Sequence, residues 1–295
     1  MKKFFHQLLS ISTLFTITFI IAGCLFLPLK IHAKTDAKTD KKDKLTWYVS
    51  EWAPYHITRG KLKRQGINDK LIKYIHKFLP DYEVEWQNMT PTLLNQSFAN
   101  GDNICQLDLF KTPEREKIAY FTQFPAIIDA PLRLFIKSSD AKQMDLKPPI
   151  DLQNLLSVQR YRGAFVAERS YGPQMDDIID ANIGRQIKKK ESTKRVIKDF
   201  FKGKSDFVVE YSAVMSYFKS VMKYRRDILS IPIQGTKPYV LGYTACSKTL
   251  WGKTVVEKIN KILKDQRHSA QYKQIIEQWH DQRTKNVIMD NYFYF

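Results

Sequence analysis

From Leu45 onward, short runs of apolar, β-branched and aromatic residues alternate with segments of helical period, and this alternation limits the fold more than any other feature of the chain. Leu45–Ser50 reads as a buried strand. Asn68 or Asp69 caps a following helix, whose Leu71, Ile72, Ile75, Phe78 and Leu79 share one face and which Pro80 stops. Tyr82–Trp86 alternates Tyr, Val and Trp with Glu, the pattern of a strand with one wet face. Thr90-Pro91 opens a second helix, Gly101 ends it, and Ile104–Leu109 is a third strand. Strands joined through helices pair in parallel, so the pattern predicts an α/β fold with helices on the faces of a parallel sheet.

The plan recurs further along. Thr112-Pro113-Glu114 opens a short helical turn, with a hydroxyl cap, Pro at the first position and an acid near the positive helix end. Pro131–Ser138, Gly163–Glu168, Asp206–Glu210 and Tyr239–Cys246 read as strands. Helices are expected at Tyr171–Ile179, Thr193–Phe201 and Ser212–Tyr224, and near Thr254–Gln266 and Ala270–His280; the aromatic tail Tyr292–Phe295 is expected to pack on the surface. The 295 residues allow one or two domains at roughly 150 residues each. With 18 Phe, 15 Tyr and 5 Trp the chain has ample core material, which excludes global disorder.

The amino terminus carries the compartment signal. Lys2 and Lys3 precede a run from Leu8 to Leu29 without a charged residue, and the chain turns polar at Lys34. This is the layout of an export signal. Three readings stay open: cleavage after Ala33, lipidation at Cys24 in Ile21-Ala22-Gly23-Cys24, and an uncleaved anchor. Each places the folded part outside the cytoplasm. Residues 34–44, with Ala33-Lys34-Thr35-Asp36 repeated as Ala37-Lys38-Thr39-Asp40, carry nothing apolar larger than Ala and read as a flexible tether.

Formal net charge is +18, from 48 basic and 30 acidic residues; residues 1–33 account for three lysines and no acid, leaving +15. The lysines read as solvated faces. Lys188-Lys189-Lys190 is the densest basic run and has no interleaved aromatics, so no nucleic-acid partner is expected. Catalytic signatures are missing: no Gly-rich phosphate loop, no Gly-x-Ser-x-Gly elbow, no His-Glu-x-x-His. The six histidines show no metal-ligand spacing, so neither a metal nor a cofactor is expected.

The run Asp108-Leu109-Phe110-Lys111-Thr112-Pro113-Glu114-Arg115-Glu116-Lys117, followed by Tyr120-Phe121-Thr122 and Pro125, resembles the family 3 bacterial extracellular solute-binding proteins. Gly66-Ile67-Asn68-Asp69 before the first helix and Trp279 near the carboxyl end add to the likeness, which covers about residues 45–281. The resemblance implies a periplasmic-binding-protein-like fold of two α/β lobes joined by two hinge crossovers, here 45–130 with 238–295 as lobe one and 131–237 as lobe two. It implies a monomeric, non-enzymatic protein that captures a small polar, amino-acid-like, carboxylate-bearing ligand between the lobes for an ABC permease. Arg115 matches the family arginine that grips the carboxylate, for which a guanidinium fork is suited. Thr112 is a cap or a ligand donor. Trp52 and Tyr55 lie in the loop after the first strand, where the family places aromatics against the ligand. Arg169, Ser170 and Tyr171 lie where lobe two offers a helix start to an anion.

The chain departs from the family after the lobe-two strand. Where an Asp usually holds the ligand ammonium, Asp206-Phe207-Val208-Val209-Glu210-Tyr211 offers Glu210 from a shifted position or Tyr211 as a replacement. Phe110-Lys111 likewise replaces small residues. Cys105 and Cys246 fall on strands of one lobe, and an oxidising compartment favours a disulfide over two buried thiols. Two further functions remain: a dehydratase-type enzyme with Glu210 as base, and a ligand sensor acting through a membrane partner.

Overall fold

The computed structural model describes residues 42–157, 161–167 and 169–292. The first lobe runs β1 (Asp43–Val49), α1 (Ile67–His76), β2 (Tyr82–Asn88), α2 (Pro91–Asn100), β3 (Ile104–Leu109), α3 (Pro113–Glu116) and β4 (Ala119–Asp129). The second follows with β5 (Arg133–Lys137), α4 (Ala141–Met144), α5 (Leu152–Ser157), β6 (Gly163–Val166), α6 (Pro173–Ala181), β7 (Ile187–Lys190), α7 (Thr193–Phe201), β8 (Phe207–Glu210), α8 (Ser212–Val221) and β9 (Ile228–Pro232). The chain then returns to the first lobe as β10 (Val240–Ser247), α9 (Leu250–Gln266), α10 (Ala270–Glu277) and α11 (Gln282–Tyr292).

Two five-stranded sheets result, ordered β2-β1-β3-β10-β4 and β7-β6-β8-β5-β9. Neither is purely parallel, which corrects the sequence expectation. β1 pairs β2 and β3 in parallel, but β10 is antiparallel to both β3 and β4. In the second sheet β6 is parallel to β7 and β8, and β5 is antiparallel to β8 and β9. The physical reason is the double crossover. β4 carries the chain out of the first lobe and β10 brings it back beside β4, so the pair must run in opposite directions.

Most elements lie where the residue pattern puts them. The start of α1 differs: the cap is Gly66, and Asp69 serves from inside the first turn by accepting the Gly66 N–H at 3.2 Å. β1 begins at Asp43, so the expected tether gives up its last two residues to the sheet. β4, β7, β9, α4, α5 and α11 are not among the expected elements. β7 is the lysine run itself. It is an edge strand, where lysines deter edge-to-edge pairing, and Lys189 and Lys190 pair with Asp180 and Asp199. The signal region, most of the tether, Glu168 and the tail residues 293–295 lie outside the described residues.

The first lobe is tied internally. Trp47 is fully buried on β1 and donates its Nε1–H to His76 Nε2 at 2.7 Å; burial pushes the His76 pKa down to about 4, keeping that nitrogen a neutral acceptor. Cys105 on β3 and Cys246 on β10 face each other across the ladder with Cα atoms 4.1 Å apart and are disulfide-bonded. No helix among the described residues is long and apolar enough to cross a membrane.

Candidate ligand-binding site

The loop from Ser50 to Gly66, between β1 and α1, carries Trp52 and Tyr55, and Asp69 holds it. Asp69 accepts the Ile57 N–H at 2.9 Å and pairs with His56 Nδ1 at 2.9 Å. Burial works to raise the Asp69 pKa, but the His56 contact and the N–H groups of Ile57 and Gly66 outweigh it and hold the carboxyl below its usual value. Gly66 is required here, because a Cβ would stand 2.3 Å from the Tyr55 carbonyl oxygen. Trp52 and Tyr55 stack at 4.3 Å between ring centroids. The Tyr55 hydroxyl donates to Asp129 at the end of β4, and Asp129 also accepts the Ala130 N–H and meets His280 Nε2 at 2.9 Å. Burial opposes charge on His280, but Asp129 and the Ile276 carbonyl overcome it and raise its pKa.

The second lobe meets this loop at the end of β8. Tyr211, capping α8, lies edge-on to Trp52 at 6.1 Å and to Tyr55 at 6.2 Å. Arg169, in the loop after β6, places its guanidinium 5.6 Å from the Trp52 ring, 4.6 Å from Tyr171 and 5.7 Å from Tyr211. Glu210 is fully buried and pairs with Arg169 at 2.5 Å, while its other oxygen accepts the Tyr211 N–H. Burial opposes the Arg169 charge, but Glu210 more than compensates and raises its pKa. A cation is thus held across the seam between lobes, among aromatic faces that attract it.

The sequence candidates divide on this geometry. Trp52, Tyr55, Tyr211 and Glu210 come together, Glu210 through Arg169. Both Glu210 oxygens are engaged within its own lobe, so it orients Arg169 rather than facing the seam as a free acid. Ser170 donates to Asp176 and accepts the Gly172 N–H, which spends it on the start of α6. Thr112 accepts the Arg115 N–H at 3.4 Å and caps α3. Arg115 is half-buried, and the guanidinium bond described for it runs to the Phe110 carbonyl at 2.8 Å, within its own turn. Asp108 belongs to the motif but is not among the expected site residues, although an acid between Leu107 and Leu109 in a strand could have signalled it. It lies one residue before the end of β3, deep in the molecule, and still keeps accessible surface. Two cavities, of about 470 and 390 Å³, lie instead beside the hinge near Arg133 and Arg283.

Residues 45–282 match the family model of bacterial extracellular solute-binding proteins, family 3, and the chain belongs to that family. Its members are extracytoplasmic binding proteins, and the two-lobed fold described above is theirs. A reconstructed ancestral cationic amino-acid solute-binding protein superimposes with a TM-score of 0.62 at 18% identity, covering 82% of this chain and 97% of that one. GshT of Streptococcus mutans, described for glutathione import with the cystine ABC importer TcyBC, gives 0.60 at 17% identity over 81% and 95% of the two chains. A histidine kinase sensor domain similar to periplasmic binding proteins gives 0.58 at 15% identity over 81% and 96%. No curated protein matches the chain in sequence.

Proposed function

We propose that this protein is an extracytoplasmic receptor that captures a small polar, amino-acid-like solute between its lobes and presents it to an ABC importer. One observation carries the reading: Arg169, anchored in the second lobe by Glu210, lies against Trp52 of the first. A solute gripping the guanidinium must touch both lobes, so its binding energy favours closure over opening. Family membership supports delivery to a permease, and the amino-acid and glutathione binders among the structural neighbours support a solute of that size. The enzyme alternative is weakened because Glu210, its candidate base, is committed to Arg169. The sensor neighbour favours no residue of this chain over the transport reading.

A thermal-shift screen with amino acids, short peptides, polyamines and organic acids tests the proposal. A solute at 100 times its dissociation constant stabilises by about 2.7 kcal/mol. Arg169→Ala should abolish the shift. If Arg115→Ala abolishes it and Arg169→Ala does not, the carboxylate is held at the α3 turn, as the family resemblance implied.

A further inference from the structure

Among the described residues, the Asp108 carboxylate is poorly supplied with hydrogen bonds. The one bond described for its carboxylate is a long one, 3.5 Å from the Asn68 amide. Asn68 is 1% exposed, and its own Oδ1 is buried without a partner. The Asp108 carboxylate near the end of β3 and the Asn68 Oδ1 at the start of α1 are therefore two acceptors short of N–H groups. Buried acceptors left in this state are costly unless something fills them. The site is shaped around the acid: a Cβ on Gly242 of β10 would fall 1.7 Å from Asp108 Oδ1, so only glycine leaves room. The charges nearby are already matched. Asp129 is paired with His280 and Tyr55, Glu210 with Arg169, and Asp69 with His56.

We propose that Asp108 and Asn68 form the subsite for a protonated amine or guanidinium of the solute, so that the cationic end docks on the first lobe. This rests on the solute-receptor reading and gives it a polarity. The cation meets lobe-one Asp108, while Arg169 of lobe two takes any anionic end. The arrangement reverses the one implied by the family resemblance, with its arginine on lobe one and its acid on lobe two. It also accounts for Tyr211 standing where that acid was expected.

The subsite predicts proton exchange. Burial, reinforced by Asp129 and only partly offset by Asn68, pushes the Asp108 pKa up to about 7. A bound cation displaces that proton, so affinity should rise roughly 100-fold from pH 5 to pH 8, with unit slope at the acid end. The other titratable groups facing the acid are Tyr55, Tyr211 and Tyr272, with Asp129 and its partner His280 beyond them. Asp108→Asn separates its titration from theirs.

The test is calorimetric titration of the protein with L-arginine, putrescine, choline, succinate and glucose. At least one of arginine and putrescine should bind, and choline, a cation without N–H groups, should bind at least tenfold more weakly. At pH 7 the amine should release about half a proton, read from the heats in buffers of different ionisation enthalpy. Asp108→Asn should lose at least tenfold in affinity together with the proton release, and Asn68→Ala should weaken binding in the same direction. Binding of succinate or glucose without either amine overturns the subsite and leaves the receptor standing. So does an amine whose affinity is unchanged within twofold in Asp108→Asn, or whose binding by the wild type moves no proton. If no probe binds, both readings fall.

Discussion

At the level of single residues, Asp108 is a carboxyl whose charged form is disfavoured by burial. Its folded pKa of about 7 exceeds the ordinary carboxylate value, so between about pH 4 and pH 7 the folded state holds a proton that the unfolded chain has lost. Stability therefore falls as pH rises through that window. Asp108→Asn removes the dependence and should make the protein more stable at pH 8, by an amount on the order of a few kcal/mol. Urea denaturation at pH 5 and pH 8 checks this; a variant no more stable than wild type at pH 8 contradicts it. Glu210→Gln should act in the opposite way. It leaves Arg169 deep without its counter-charge, at a cost of about 3 kcal/mol in the same experiment. The sequence made Trp52, Tyr55, Tyr211 and Glu210 legible as a group through family position. It could not reveal that Glu210 turns to Arg169, or that Ser170 is absorbed by Asp176, because those choices are made by packing between segments distant along the chain.

Among the elements, the loop between β1 and α1 fixes the two aromatics, and its dependence on Gly66 is steric. Gly66→Ala must displace the Tyr55 carbonyl, so it should destabilise by at least about 1 kcal/mol and weaken solute binding although residue 66 lies outside the seam. Unchanged melting and affinity would show that the loop relaxes freely. The Cys105–Cys246 bond closes a sequence separation of 141 residues and so ties the returning strand β10 to β3 around the whole excursion through the second lobe. Its removal as a Cys105→Ser, Cys246→Ser pair should cost about 2–5 kcal/mol, measured by chemical denaturation. Helices with strong punctuation were legible to the residue: α2 between Thr90-Pro91 and Gly101, and α7 over Thr193–Phe201. β4 was not, because its mixed run Ala119–Asp129, with Pro125 inside it, has neither a clean period of two nor a purely apolar stretch. β9 lacks the same signal, with Ser230 and Pro232 within five residues.

For the molecule as a whole, the two-lobed plan was legible because each lobe repeats the same alternation, and the hinge crossovers followed from family resemblance. The mixed direction of each sheet was hidden, since strand polarity beside a crossover depends on the route of the chain rather than on local pattern. The central claim is that one solute bridges the loop of the first lobe and the arginine of the second. Its most direct test is calorimetric titration of the tightest hit into wild type, Trp52→Ala and Arg169→Ala, with circular dichroism to establish that each variant is folded. Bridging predicts a loss of at least tenfold in both variants, one altered in each lobe. Affinity unchanged in both folded variants would place the solute elsewhere and contradict the claim.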